Sequence, residues 1–159
     1  MLNTKNFFLS IFCAVFIIGA TTPLIAGPKD IIKYRKGVMK AVSGHAKALK
    51  SIANGKVDRK ADLKAHARAM VELATMSATL FPKGTGPEAG KTRALPSIWE
   101  KKAKYDRIND DWVKAARSME AAADAGDLNA AGKAADALSK ACKACHKPFR
   151  KKKAKKKKS

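Results

Sequence analysis

Two thiols and an imidazole fall within five residues near the C-terminal end of this chain, in the order Cys142-Lys143-Ala144-Cys145-His146. A C-x-x-C-H run reads as a covalent haem attachment site. The thiols add to the haem vinyl groups as thioethers, and the adjacent imidazole ligates the iron. A helix suits this chemistry. At about 100° per residue, Cys145 lies about 60° to one side of Cys142 and His146 about 40° to the other. All three side chains then project from one helical face. Two other readings of these residues are weaker. A zinc site needs a fourth ligand of the right geometry, and His45 and His66 lack a paired spacing. A thioredoxin-like redox pair belongs in a βαβ setting, which the pattern lacks.

The motif ends a chain whose periodicity is helical, with no convincing alternating strand. A first helix is predicted from about Asp30 to Ala53, stopping at Asn54-Gly55, with Val38, Val42, His45, Leu49 and Ile52 recurring at three- and four-residue steps. A second runs from near Arg59 to Leu80, with Leu63, Ala67, Met70, Leu73 and Leu80 inward. Residues 81–96 are rich in Gly and Pro and form a long connection. The third helix is expected over Ile98 to Ala125, with Tyr105, Ile108, Trp112, Ala115 and Met119 on its stripe, and Gly126-Asp127 restarts the chain. The last carries Leu128, Ala131, Ala135, Leu138, Cys142, Cys145 and Phe149 on one face. The expected fold is therefore all-α, an antiparallel four-helix bundle with haem attached near the C-terminus. The abundance of alanine on these stripes brings the helices close and leaves bulk for a haem to supply.

The first 26 residues stand apart. Lys5 supplies a positive charge, Phe7 to Ala20 is an apolar run short for a membrane span, and small residues follow. This pattern predicts a signal peptide over 1–26, a folded domain over 27–150 and a lysine-rich tail over 151–159, with an uncleaved anchor as the other reading. Export to the periplasm follows. Cys13 lies in the apolar run and is lost on cleavage, so the mature chain keeps only Cys142 and Cys145. The net charge is +21, and from Lys147 onward there are nine cations and no acids. Without that tail and Lys5 the chain still carries +11, so the folded body is basic in its own right. Such a protein binds nucleic acid, anionic membrane or acidic proteins. Export argues against nucleic acid. The tail reads as a solubilising extension or as a contact with an anionic membrane surface.

With the haem motif in place, the chain resembles the class II c-type cytochromes, the family of cytochrome c-prime and its low-spin relatives such as cytochrome c-556. The resemblance rests on Lys33-Tyr34-Arg35 followed by Met39 and on Pro96-Ser97-Ile98-Trp99. It rests also on the run from Ala121 to Leu128, and on Cys142 to His146 with Arg150. It implies one haem c held by Cys142 and Cys145, with His146 as the fifth iron ligand and Met39 over the other haem face. In high-spin members a bulky non-ligating residue there leaves the iron five-coordinate and open to small gases. In low-spin members a methionine completes the shell. A methionine on an apolar stripe is more often flexible filler, but at this family position it is expected to ligate. Thioether with imidazole raises the reduction potential and suits single-electron transfer. Arg35 falls about 40° from Met39, and the resemblance implies that its guanidinium pairs with a haem propionate. Arg150 lines the exposed proximal side or begins the basic tail.

His45 lies about 120° from Met39 and reads as a packed or half-exposed histidine. Trp99 and Trp112 are expected to pack against haem or neighbouring helices. The resulting expectation is a periplasmic monohaem electron carrier, not an enzyme, with His146 and Met39 as metal ligands and Cys142, Cys145 and Arg35 holding the haem. Its partners would be an acidic redox protein and, through the tail, an anionic membrane, with the chain a monomer or homodimer. Two alternatives are a five-coordinate cytochrome c-prime that binds nitric oxide or carbon monoxide, and a polycation that adheres to membrane surfaces.

Overall fold

The computed structural model describes residues 26–152. The signal peptide expected over 1–26 lies outside the described residues but for its last position, and so does the tail beyond Lys152. The described chain forms α1 (Pro28–Ala53), α2 (Leu63–Met76), α3 (Ser97–Glu100), α4 (Lys102–Asp124) and α5 (Leu128–Phe149). Short 3-10 turns at Lys60–Asp62 and Ser77–Thr79 extend α2 at both ends, which recovers the span expected for the second helix.

Local chemistry sets the helix ends. Pro28 occupies the first turn of α1, where its missing N–H costs nothing, and the Gly27 N–H donates to Asp30 Oδ2 at 3.3 Å. Asp127 caps α5 by accepting from the Ala130 N–H at 2.9 Å. Gly126 between α4 and α5 has φ +67°, a left-handed conformation that glycine adopts without a Cβ clash.

The four long helices pack in a ring: α1 touches α2 and α5, and α4 touches α2 and α5. Their apolar stripes meet in two clusters. The larger contains Val42, Leu49, Met70, Trp112, Met119 and Leu138 among others. The smaller, at the end of the bundle where α5 finishes, is Ile98, Tyr105 and Phe149, with Phe81, Trp99 and Cys145 against it.

Two expectations change. The third helix is broken at Lys101, which has φ −119° and ψ 46°, so its first turn is the separate α3. That turn is tied elsewhere: Ser97 Oγ donates to the Pro148 carbonyl at 2.8 Å, and Trp99 Nε1 donates to the carbonyls of Phe81 and Pro82 at 3.0 Å each. The inward stripe of α4 also differs, running Tyr105, Asn109, Trp112, Ala116 and Met119, while Ile108 and Ala115 are only half-buried. Asn109 is admitted to the interior because its amide is hydrogen-bonded, to Ser77 Oγ and to the Ala74 carbonyl.

Candidate haem site

The donor set lies on the last two turns of α5. Cys142 and Cys145 are free, half-buried thiols. Burial pushes the Cys142 thiol up, and burial together with the Cys142 charge pushes Cys145 up to about 11. His146 is lowered to about 4 by burial, then by the cations Arg150 and Arg93. The imidazole is therefore neutral near pH 7, as an iron ligand must be. Two unlinked thiols and a neutral imidazole on one helical face fit a covalently attached haem.

The surrounding packing fits it too. Along α5, Leu138 and Ala141 belong to the large cluster, whereas Cys145 and Phe149 belong to the small one. Cys142 falls between and joins neither. On α1, which packs against α5, Val42 and Ala46 join the large cluster, while half-buried Met39 one turn earlier also joins neither. The core thus parts at Cys142, one of the expected thioether anchors, and at Met39, the residue expected over the iron. Among the described residues no side-chain hydrogen bond involves Met39.

Arg35, one turn before Met39, is buried. Its Nη1 donates to the Leu80 carbonyl at 3.1 Å and to Thr85 Oγ1 at 3.0 Å. Its Nη2 donates to the Thr85 carbonyl at 2.8 Å and to Thr92 Oγ1 at 3.3 Å. Burial lowers its pKa, yet a guanidinium keeps its charge. The side chain expected at a propionate is thus first the anchor of the loop between α2 and α3. Of its five N–H donors, Nε–H is left over for a further acceptor.

An aromatic chain carries this loop to α5. Trp99 and Phe81 meet edge to face at 6.3 Å between centroids, Phe81 and Tyr105 at 5.3 Å, and Tyr105 and Phe149 at 5.6 Å. The Tyr105 hydroxyl donates to the Ser77 carbonyl at 2.8 Å. The end of α5 is then strapped down. Ala94 and Arg150 form an antiparallel bridge, Leu95 N–H donates to the Phe149 carbonyl at 3.0 Å, and Lys151 N–H donates to the Arg93 carbonyl at 2.8 Å.

Sequence reasoning missed Phe81, Thr85, Thr92 and Arg93. No motif marks them, because they reach the site only when the loop closes on α1 and α5. Both tryptophans pack as expected, Trp99 in this aromatic chain and Trp112 in the main core between helices, its Nε1 without a partner among the described residues. His45 is half-buried and joined to His66, away from the haem donors.

Comparison with known proteins gives these features a context. The family model for Cytochrome C' matches residues 30–150. A cytochrome c' from Pararhodospirillum photometricum is 38% identical over 128 residues, covering 79% of this chain and 99% of that protein. A cytochrome c' from Rhodospirillum rubrum is 32% identical over 130 residues, covering 82% of this chain and 88% of that protein. Among solved structures, the nitric oxide complex of a variant cytochrome c prime from Alcaligenes xylosoxidans superposes with a TM-score of 0.74 at 29% identity, covering 80% of this chain and 98% of that one.

These relatives overturn one expectation. The low-spin electron carrier with His146 and Met39 as paired axial ligands gives way, because the relatives matched over most of their length are cytochromes c', and a similar cytochrome c prime is solved with nitric oxide bound. The physical reason for the error is the double nature of methionine, whose thioether is both a ligand and a flexible filler. A match that spans the four long helices and the C-x-x-C-H run together leaves no ambiguity of kinship: the chain belongs to the cytochrome c' family of class II c-type cytochromes, which carry one covalently bound haem c.

Proposed function

We propose that this protein is a five-coordinate cytochrome c' that takes up nitric oxide or carbon monoxide. The observation that carries this reading is its likeness, over four fifths of its length, to a cytochrome c prime solved as a nitric oxide complex. Haem supplies, when bound, an iron that accepts a diatomic ligand. Cys142 and Cys145 would hold the macrocycle covalently, and the neutral His146 ring would offer its nitrogen to the iron. Met39, beside the buried Val38 and Val42 on α1, would supply apolar bulk toward the haem. Its apolar bulk presents no hydrogen-bond donor and favours a small uncharged ligand over water or an anion. Arg35 and the aromatic chain from Trp99 to Phe149 keep the loop closed over this end of the bundle.

The reading extends to location and partners. Residues 1–26 act as an export signal, and the protein works in the periplasm without transforming a substrate. An acidic protein partner matches the positive charge of the body. On α1 and the loop, Lys29, Lys33, Lys36 and Lys91 surround one depression floored by Ile32.

Optical spectra of the ferric and ferrous haem protein, followed by carbon monoxide, test the proposal. A high-spin ferrous spectrum that shifts promptly with carbon monoxide, and keeps its spin state in Met39→Leu, is the expected result. A low-spin ferrous form resistant to carbon monoxide would overturn it.

A further inference from the structure

Away from the haem donors, two histidines meet edge-on across the first helix pair. His45 on α1 and His66 on α2 bring their Nδ1 atoms to 2.9 Å, with ring centroids 5.1 Å apart and planes at 66°. Both side chains are half-buried, so solvent reaches them, and both residues lie within helices. The neighbours one turn away on each side, Val42 and Leu49 on α1 and Leu63 and Met70 on α2, are all buried core residues. A pair of donors on packed helices is more precisely placed than a pair on loops.

Imidazole binds zinc, copper and nickel, and only the neutral ring does so. With metal–nitrogen bonds of about 2.0 Å, neighbouring ligands on one ion lie about 2.8 to 3.3 Å apart in square-planar or tetrahedral sites. Rings that already meet at 2.9 Å through an N–H···N contact need little movement to share one ion. Copper(II) heads the general affinity order of divalent first-row metals.

We propose that His45 and His66 form a two-imidazole site for a divalent transition metal, copper(II) foremost, that bridges α1 and α2 outside the haem site. Without metal, one Nδ1 carries a proton and donates it to the other. On binding, that proton moves through solvent to Nε2 of the same ring, each ring turns its free Nδ1 lone pair to the ion, and two metal-bound waters leave. No electron is transferred. No third His, Cys, Asp or Glu joins the pair among the described residues. Asp62, one turn before His66, is held by Arg59 Nε at 2.7 Å. Water therefore completes the coordination shell, and the site is open to small exogenous ligands. A metal bound here links two helices and stabilises the folded chain by linkage.

The test adds copper(II) sulfate to the haem-loaded protein and counts equatorial imidazoles at the copper by pulsed electron paramagnetic resonance. Two are expected in the unaltered protein. His45→Gln and His66→Gln should each leave one and weaken binding by about 100-fold, as loss of a two-point attachment does, with the haem spectrum unchanged. Fewer than two imidazoles in the unaltered protein, or two in either variant, overturns the proposal. The first measurement decides the matter even if a variant fails to fold, and neither depends on how the haem iron handles gases.

Discussion

The Arg35 guanidinium lies 4.6 Å from the centre of the Phe81 ring, and it joins α1 to both ends of the loop preceding α3. Its charge is offset by carbonyl and hydroxyl acceptors and by the ring face rather than by a carboxylate. Removing the side chain leaves those acceptors unpaired in the interior. Arg35→Ala is expected to cost about 3 kcal/mol, on the scale of hydrogen bonds to charged groups. Denaturant unfolding of the haem protein checks this. Arg35→Lys should recover only part of the loss, because an ammonium does not reproduce the planar fork.

Tyr105 supplies an alkaline limit to stability. Burial raises its pKa well above the ordinary phenol value. A raised folded-state pKa means that the neutral hydroxyl is favoured in the native protein. Its contribution is thus complete below the unfolded pKa of about 10 and is lost as pH rises beyond it. Tyr105→Phe should cost about 1 kcal/mol near pH 7 through the lost bond to the Ser77 carbonyl. It should also flatten the fall in stability above about pH 10, which thermal unfolding at a series of pH values would read.

Met39 governs access rather than coordination in the proposed function. Met39→Ala removes bulk beside Val38 and Val42, so carbon monoxide should associate faster with the ferrous protein while the haem stays attached. Stopped-flow mixing measures the rate. An unchanged rate would place the access barrier elsewhere.

The lysine tail separates adhesion from haem chemistry. A chain ending at Arg150 loses Lys151 to Lys158, seven cations, at roughly 1 kcal/mol each near an anionic surface. It should release from vesicles rich in anionic lipid yet give unchanged optical spectra with and without carbon monoxide. Retained vesicle binding would point to the lysines of the folded body.

What could be read from the chain alone was local. Cys142, Cys145 and His146 share a helical face because three and four residues make nearly one turn, whatever the rest of the molecule does. The stripes of α1 and α5, the restart at Gly126-Asp127 and the stop at Asn54-Gly55 are equally short-range and were legible. Met39 was not, since a methionine on a helix stripe serves two roles and its spacing does not choose between them. The stripe of α4 shifted onto Asn109 because Ser77 and the Ala74 carbonyl, on another segment, satisfy its amide.

The tertiary structure alone decided the rest. Arg35 reaches Thr85 across 50 residues, Arg93 comes beside His146 through the bridge from Ala94 to Arg150, and His45 meets His66 across 21 residues. None of these pairings has a sequence period. Each exists only once the helices have packed, because it is the burial of the apolar stripes that brings such distant segments together and obliges their polar groups to find one another.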